Sequence, residues 1–392
     1  MTFLIIIFWI FLFIIFYTYL GYGILLFFLI KIKKLFSSKI SNEKPDPDPE
    51  VTIFVTAYNE IDFVDSKMRN TLSLEYPKEK VKIIWVTDGS DDGTPEMLRQ
   101  YPGVTVFHQP LRTGKIAAMN RGIKFVTTPI TIFSDANTML GQEAIRRIIN
   151  LFKDPQVGCV SGEKRILLTS TAAAAEGIYW KYESLLKKWD AQLYSVVGAA
   201  GELFAIRTEL YQEVEKDTLL DDFIISMRIA MKGYTIQYDP LAYSLEKPSA
   251  NIKEELKRKI RISAGGIQSI LRLKELLNPF RYGLLSFQFI SHRVLRWTLA
   301  PMGLLIVFFC NVFLAMNMGF ITFNSFYVWL FWLQCIFYLL AMGGWYLENK
   351  EVKKTIFYVP FYFVIMNLSV YFGFWRYLNK QQAVTWERAK RG

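Results

Sequence analysis

Long apolar stretches occupy both ends of the chain, and a segment of mixed polarity lies between them. Residues 3–30 contain no charged side chain and exceed the roughly 20 residues that a membrane-spanning helix needs. Three further apolar stretches of nearly spanning length follow late in the chain, at 299–320, 326–346 and 356–374. The pattern predicts an amino-terminal membrane anchor and a carboxy-terminal bundle of membrane helices.

The middle of the chain alternates between short apolar runs and helical patterns. The runs at 51–57, 81–87 and 130–134 are rich in β-branched or apolar residues without strict alternation, as expected for parallel strands covered on both faces. Residues 61–74 and 115–126 have helical periodicity. This order predicts an α/β domain with a doubly wound, mostly parallel sheet.

Changes in composition divide the chain into six segments. Alternating Pro and Asp mark a solvated linker, and residues 253–277 mix apolar positions with many Lys and Arg, which favours helices in the membrane interface. The predicted segments are an anchor at 1–36, the linker at 37–50, a cytosolic domain at 51–250, amphipathic interfacial helices at 251–297, the membrane bundle at 298–378 and a basic tail at 379–392.

The composition favours a membrane protein over a nucleic-acid-binding protein. Hydrophobic residues make up 52% of the chain, and the net charge of +11 gathers beside the apolar segments, where a cytoplasmic membrane surface attracts it. Lys31, Lys33 and Lys34 directly follow the anchor, and the positive-inside rule predicts a multi-pass plasma membrane protein whose middle domain is cytoplasmic. The three cysteines are far apart and predict neither disulfides nor a zinc site.

The carboxy terminus allows two topologies. One anchor and three later spans put the terminus outside, whereas the basic residues at 376–391 favour the inside. Pro360, Asn367 and Gly373 would resolve the conflict if they made the last apolar segment re-entrant or interfacial.

Polar residues stand at the ends of all three predicted strands. The sequences are AYNE at 57–60, TDGSDDGT at 87–94 and SDAN at 134–137. One such cluster alone is typical of a turn or a helix cap, but ligands of α/β sheets bind at these strand ends. Asp88 offers hydrogen-bond acceptors, and the Tyr58 ring offers a face for stacking. Gly89 and Gly93 would let the backbone come close to a ligand. Together they predict a nucleotide pocket.

The chain also has candidate residues for binding phosphate and a metal ion. Lys115 stands near a predicted helix start, where phosphate binds well, although the chain has neither a Walker P-loop nor a dinucleotide fingerprint. Asp135 is a candidate ligand for Mg²⁺ or Mn²⁺ bound to a diphosphate, with Asn137 adding only a neutral carbonyl oxygen.

A second acidic pair, Asp221 and Asp222, precedes an apolar helical run. The pair fits simple helix capping, and it fits equally a general base whose pKa is raised by its like-charged neighbour. The residues alone leave both interpretations open.

These motifs together resemble the membrane-integrated family 2 glycosyltransferases, which include hyaluronan, cellulose, chitin-oligosaccharide and poly-N-acetylglucosamine synthases. The resemblance runs in order over nearly the whole chain: anchor, GT-A domain, interfacial helix and membrane bundle. It implies that Thr56, Ala57, Tyr58 and Glu60 line a uridine pocket with Asp88 on the uracil or ribose.

The resemblance also assigns roles near the reacting sugar. It places Lys115 beside the phosphates, Asp135 and Asn137 in the position of a D-x-D metal motif, and Asp222 in the position of the catalytic base. Further residues assigned to the acceptor or diphosphate are Gly201 and Glu202 of GAAGELFAIR and Arg261 of RKIRI, whereas Arg258 of the same motif replaces a family Gln. Trp386 of TWERAKR (385–391) resembles a Trp/Arg motif that other synthases bring back to the active site, and a basic tail is an equally good interpretation. Ile262 stands where the family has a Trp of the acceptor platform.

The implied function is inverting transfer from a UDP-sugar to a saccharide acceptor, giving a β-linked poly- or oligosaccharide that passes through the membrane helices. The implied partners are the UDP-sugar, a saccharide or lipid-linked acceptor, membrane lipids and accessory export proteins, with no nucleic acid. Two alternatives stay open: transfer of a single sugar to a lipid acceptor, which Ile262 favours, and a catalytically silent membrane scaffold.

Overall fold

A computed structural model describes residues 1–36, 48–166, 172–247, 252–321, 323–348 and 355–381 of the chain. Its strands form one eight-stranded sheet in the order β3-β2-β1-β4-β7-β6-β8-β5. The strands are β1 (Val51–Ala57), β2 (Val81–Asp88), β3 (Val104–Gln109), β4 (Ile130–Asp135), β5 (Met139–Leu140), β6 (Val157–Ile166), β7 (Leu203–Arg207) and β8 (Thr235–Glu246).

The α-helices alternate with these strands and continue beyond them. They are α1 (Thr2–Phe16), α2 (Tyr22–Phe36), α3 (Ile61–Leu72), α4 (Thr94–Leu98), α5 (Lys115–Gly122), α6 (Ala144–Phe152), α7 (Ala172–Leu193), α8 (Asp221–Met231), α9 (Ile252–Arg272), α10 (Pro279–Phe289), α11 (Leu295–Trp297), α12 (Leu299–Met318), α13 (Phe326–Glu348) and α14 (Thr355–Leu378).

The sheet is buried on both faces, which explains the unbroken apolar runs of its central strands. Ile53 and Val55 pack on one face with helices α3 and α6, whereas Phe54, Val86 and Phe133 pack on the other with α5 and α8. The predicted mostly parallel, doubly wound sheet is confirmed. Strands β7 and β5 run antiparallel to their neighbours, which the sequence pattern did not indicate.

Strand register brings three polar strand ends to one level. Thr56 at the end of β1 pairs with Asp135 at the end of β4, and Ala57 pairs with Thr87 next to Asp88. Parallel strands therefore deliver these side chains to one edge of the sheet, where ligands of such sheets bind.

Four helices of the described residues are long and apolar enough to cross a membrane: Thr2–Phe36, Leu299–Met318, Phe326–Leu347 and Thr355–Leu378. The first consists of α1 and α2 joined by a π-helical turn, Tyr17–Gly21. The protein is a membrane protein. Helix α14 continues through Pro360 and Gly373 without a re-entrant break, and the side of the membrane on which the carboxy terminus lies stays open.

Helix α9 joins the sheet domain to the membrane helices. A Cβ atom on Gly265 would lie 2.6 Å from Leu220, and one on Gly373 of α14 would lie 2.6 Å from Ser263. Small residues thus let α9 pack closely on both sides. Its location in the membrane interface stays a prediction. Most of the linker at 37–50 and of the tail at 379–392 lies outside the described residues.

Candidate functional site

A pocket opens at the carboxyl ends of β1, β2 and β4, where the sequence predicted one. The structure brings seven predicted nucleotide-binding residues and Asn137 to its walls. The lining residues are Thr56, Ala57, Tyr58, Glu60, Asp88, Arg112, Gly114, Lys115, Ala118, Asp135, Ala136 and Asn137. We call this the donor pocket.

Asp88 shapes one wall of the donor pocket by holding the loop before α5. Its carboxylate accepts hydrogen bonds from the Thr113 and Gly114 backbone N–H groups at 2.8 and 2.6 Å, and from the Thr113 hydroxyl at 2.7 Å. A Cβ atom on Gly89 would lie 2.6 Å from the Arg112 Cβ, and its φ is +73°, so glycine permits this close loop approach. Direct contact of Asp88 with a nucleotide stays a prediction.

Tyr58 already has a cation on one face of its ring. The Arg112 guanidinium lies 3.6 Å from the ring centroid, which is a close cation–π contact. A base that stacks on Tyr58 would use the other face or replace Arg112. The sequence reasoning did not single out Arg112, because a cation–π pair between two separate loops leaves no local pattern.

Lys115 lies between carboxylates from two parts of the chain. Its Nζ is 2.9 Å from Asp135 Oδ1 and 3.4 Å from Asp221 Oδ2. Burial alone would lower the pKa of Lys115, but these two carboxylates raise it above its ordinary value. Lys115 therefore remains charged, and its contact with a phosphate stays a prediction.

A second lysine lies beneath Asp135. Lys67 is fully buried in α3 and donates hydrogen bonds to the Ser134 hydroxyl and the Thr138 carbonyl, both at 2.7 Å. Burial lowers the pKa of Lys67 to about 7, while the nearby Asp135 favours its charged form. Lys67 was missed from the sequence, where it reads as a polar position of an ordinary helix.

Asp221 and Asp222 occupy the first turn of α8. The N-cap residue of α8 is Leu220, so neither aspartate caps the helix. Burial, the Asp221 charge and Glu202 raise the pKa of Asp222 to about 7, against the lowering effect of Lys115. A carboxyl group with a pKa near neutrality suits a general base.

The residues around Gly201 form a second wall beside Asp222. A Cβ atom on Gly201 would lie 3.0 Å from Asp222 Oδ2, so glycine leaves room for the carboxylate. Glu202 forms an ion pair with Lys164 at 2.5 Å, and Lys164 also pairs with Glu246. Burial would raise the pKa of Glu202, but the Lys164 ammonium holds it below its ordinary value.

A cavity of about 590 Å³ continues from Asp222 towards the membrane helices. Lys115 and Asp135 line it as well as the donor pocket, so the two spaces meet at this ion pair. Gly201, Glu202, Arg258 and the aspartate pair of α8 line it too. We call this the acceptor cavity.

Two arginines of α9 reach the acceptor cavity. Arg258 pairs with Glu255 at 3.1 Å. Burial lowers the pKa of Arg261 from its ordinary value, and the charges of Asp221 and Asp222 partly oppose this. Ile262 lines the cavity at the position of the expected Trp. Trp297 packs on Gly266, one turn further along α9, and also lines the cavity. Sequence reasoning missed Trp297 because it belongs to a separate helix.

A model of the family described as "Glycosyltransferase like family 2" matches residues 47–265, more than half of the chain. The chain belongs to glycosyltransferase family 2. The resemblance noted in the sequence is thereby confirmed.

Curated relatives of this family 2 chain include polysaccharide synthases. The poly-β-1,6-N-acetyl-D-glucosamine synthase of Staphylococcus aureus (strain MSSA476) is 30% identical over 246 residues, and the synthase of the same name from Staphylococcus epidermidis (strain RP62A) is 26% identical over 260. The alignments cover 59% and 64% of this chain, and the chain spans 59% and 62% of the respective relatives.

A solved structure shows the same fold over nearly the whole chain. The mannosyltransferase PcManGT from Pyrobaculum calidifontis, in complex with GDP-Man and Mn²⁺, has a TM-score of 0.67 at 22% identity. The match covers 92% of this chain and 96% of the mannosyltransferase. The predicted GT-A fold between membrane helices is confirmed.

The predicted site residues of the family 2 chain come together, apart from one. Trp386 lies outside the described residues, as does the TWERAKR motif that contains it. The donor pocket and the acceptor cavity contain all the others. Their individual roles stay predictions.

The donor pocket has oxygen ligands for a hard cation, but too few to hold one alone. Asp135 offers a carboxylate and Asn137 a carbonyl, and both line the pocket. Within the described ranges, no group of three or more His, Cys, Asp or Glu is arranged to hold a metal ion. The residues therefore fit Mg²⁺ or Mn²⁺ that binds jointly with a donor diphosphate.

Proposed function

We propose that this protein is an inverting glycosyltransferase that moves a sugar from a UDP-sugar to a saccharide acceptor and builds a β-linked oligo- or polysaccharide. One observation carries the proposal: Lys115 and Asp135 line both the donor pocket and the cavity that contains Asp222. A diphosphate at this junction would present its sugar to the base. The names of the curated relatives support a polysaccharide product.

The proposed reaction is a single displacement at the anomeric carbon. Asp222 takes the proton of the acceptor hydroxyl as that oxygen bonds to the carbon, and the bond to UDP breaks with its electron pair leaving on UDP. Lys115 and Arg261 stabilise the negative charge of the departing UDP. Because the acceptor attacks opposite UDP, an α-linked donor gives a β-linked product.

The donor would be held by the residues that line its pocket. Thr56, Ala57, Tyr58 and Glu60 surround the uridine in this proposal, and Asp88 fixes the loop that covers it. Asp135 and Asn137 would hold Mg²⁺ or Mn²⁺, and the bound cation supplies positive charge to the diphosphate.

Asn137→Asp tests the metal assignment. A second carboxylate adds negative charge to the candidate site, so we expect the Mn²⁺ concentration that gives half-maximal transfer to fall by about tenfold. Asn150→Asp adds the same charge at an exposed position of α6 and should leave the metal dependence unchanged. An unaltered Mn²⁺ titration for Asn137→Asp would argue against a metal role for this position.

The pH profile tests the base. Only ionised Asp222 accepts a proton, so kcat/KM should fall about tenfold per pH unit below a pKa of about 7 and stay level above it. Asp221→Asn removes a charge that raises this pKa and should therefore move the fall to lower pH. Initial rates measured from about pH 5 to about pH 9 give both profiles. Identical profiles would exclude coupling between the two aspartates.

The orientation is also part of the proposal: the catalytic domain faces the cytoplasm from the plasma membrane. Lys33, in the basic end of α2, donates hydrogen bonds to the carbonyl oxygens of Gln192 and Leu193 at 3.0 and 2.7 Å. The basic end of the anchor therefore contacts the catalytic domain directly, and basic residues favour the cytoplasmic side.

Turnover by the purified protein in lipid nanodiscs tests the function. Radiolabelled UDP-sugars are supplied one at a time, with GDP-mannose included because the mannosyltransferase structure contains GDP-Man. We expect transfer from a UDP-sugar into a product that grows on sizing. A product with one added sugar on lipid would support the second candidate function, which Ile262 favours. No turnover of any donor would contradict both.

A further inference from the structure

The acceptor cavity reaches the outer surface of the membrane helices. Leu20, in the π-helical turn of the anchor, is 56% exposed, and Val359 of α14 is 41% exposed, yet both line the cavity. Phe363, Met366 and Val370 continue this apolar side. A route therefore leads from Asp221 and Asp222 to the space between two helices long enough to cross the membrane.

A polar contact marks the rim of this route. The Tyr19 hydroxyl donates a hydrogen bond to Asn367 Oδ1 at 2.5 Å, and the Tyr19 and Phe363 rings pack edge to face with their centroids 5.0 Å apart. Tyr19 belongs to the π-helical turn, and such turns occur often at functional sites.

The inner part of the cavity carries more positive than negative charge. Leaving aside Lys115 and Asp135 at the junction with the donor pocket, seven cations and five carboxylates line it among the described residues. The cations are Lys164, Lys187, Arg258, Lys259, Arg261, Arg293 and Arg296, and the carboxylates are Glu183, Glu202, Asp221, Asp222 and Glu246. An excess of positive charge stabilises a bound anionic group. A neutral saccharide would not be stabilised in this way.

Lys187 is a buried cation in the lining of the acceptor cavity. Its side chain is 7% exposed and lines the cavity, and the Tyr238 ring lies 5.9 Å from its ammonium. Among the described residues, no carboxylate lies within ion-pairing distance of Lys187. By contrast, Arg293 and Arg296 both pair with Glu183, at 2.8 and 2.6 Å. A buried ammonium facing a cavity is stabilised by an anionic ligand.

We propose that the acceptor is a saccharide linked to lipid through a phosphate or diphosphate, which enters between the anchor and α14. The phosphate lies near Lys187, the lipid chain passes Leu20 and Val359, and the sugar hydroxyl reaches Asp222. This assignment rests on the proposed function and names its acceptor class. The phosphate is a binding group only: the sugar hydroxyl attacks the anomeric carbon, its proton goes to Asp222, and UDP leaves.

Equilibrium binding to the full chain in detergent, measured by native mass spectrometry, tests the proposal without requiring turnover. Three probes are compared: polyprenyl diphosphate carrying one N-acetylglucosamine, the same sugar on a neutral alkyl chain, and water-soluble N-acetylglucosamine 1-phosphate. We expect the diphosphate lipid to bind about tenfold or more tightly than either other probe, because only it offers both a charged group and a chain. Lys187→Gln should remove most of its advantage over the neutral lipid.

Lys188→Gln is the matched control, since Lys188 is the next residue of α7 and is exposed. It should keep the wild-type preference, and Lys187→Arg should retain it as a charge-preserving variant. Equal binding of the charged and neutral lipids, equal binding of the soluble phosphate, or no effect of Lys187→Gln would overturn the proposal.

Sugar transfer measured on the same samples tests the proposed function separately from the proposed acceptor class. Transfer to the neutral lipid without any preference for phosphate would leave the proposed function standing and refute the acceptor class. Absence of transfer to every probe would refute the proposed function, and the binding comparison would still decide the lipid site.

Discussion

Asp222→Asn is expected to lower sugar transfer by about 10²–10⁴-fold, the usual contribution of a positioned base. Asparagine has the shape of aspartate, so it fits beside Gly201 as the wild-type side chain does, but it cannot take the acceptor proton. Asp222 does not line the donor pocket, and binding of the UDP-sugar should therefore be unchanged. Rates with radiolabelled donor and calorimetric binding of UDP give the two quantities.

Asp221→Asn is the matched control for this loss. Asp221 precedes Asp222 in the same helical turn and pairs with Lys115, but it is not the proposed base. We expect it to retain most of its transfer above neutral pH. If Asp222→Asn were fully active, or if Asp221→Asn were the inactive variant, the base would have to be reassigned.

Lys115→Met is expected to have an effect of similar size. Methionine keeps much of the side-chain length but removes the positive charge that the diphosphate would meet, and loss of one such electrostatic group typically costs about 10²–10³-fold in rate. Lys115 also lowers the pKa of Asp222, so the variant should need a higher pH to ionise its base. Raising the pH should restore only this second part of the loss.

Lys124→Met provides the control, because Lys124 is exposed and pairs with Glu213 on the surface shortly after α5. It should have wild-type rates and wild-type affinity for UDP. Thermal unfolding of both variants separates loss of activity from loss of folding, since Asp135 and Asp221 lose their shared cation in Lys115→Met. Normal kcat/KM in Lys115→Met would contradict its place beside the diphosphate.

The sequence predicted the parts of the fold whose signals are local. Strand β1 occupies the predicted range, and the last three membrane helices lie within a few residues of theirs, because continuous apolar runs define both. The antiparallel β7 was not predicted. Its residues, LFAIR, are compatible with any buried strand, and the choice of β4 and β6 as neighbours depends on distant chain segments.

In the site, too, only the residues with a local sequence signal could be predicted. Asp88 and Asp135 are recognisable because each ends a strand, and the rule for α/β sheets places strand ends together. Lys67, Arg112 and Trp297 have no such signal, since each acquires its position from contacts with a separate element. The contact of Lys115 with Asp221 likewise depends on how α8 packs against the sheet.

In the proposed complex, one cleft holds the donor diphosphate at Lys115 and Asp135, with Asp222 on the side of the acceptor. A cryo-EM structure of the protein in nanodiscs with UDP and Mn²⁺ would show whether this arrangement forms. We expect uridine density between Tyr58 and Asp88 and diphosphate density beside Lys115, with Asp222 facing the acceptor cavity. Nucleotide density elsewhere, or Asp222 separated from the diphosphate by intervening protein, would contradict it.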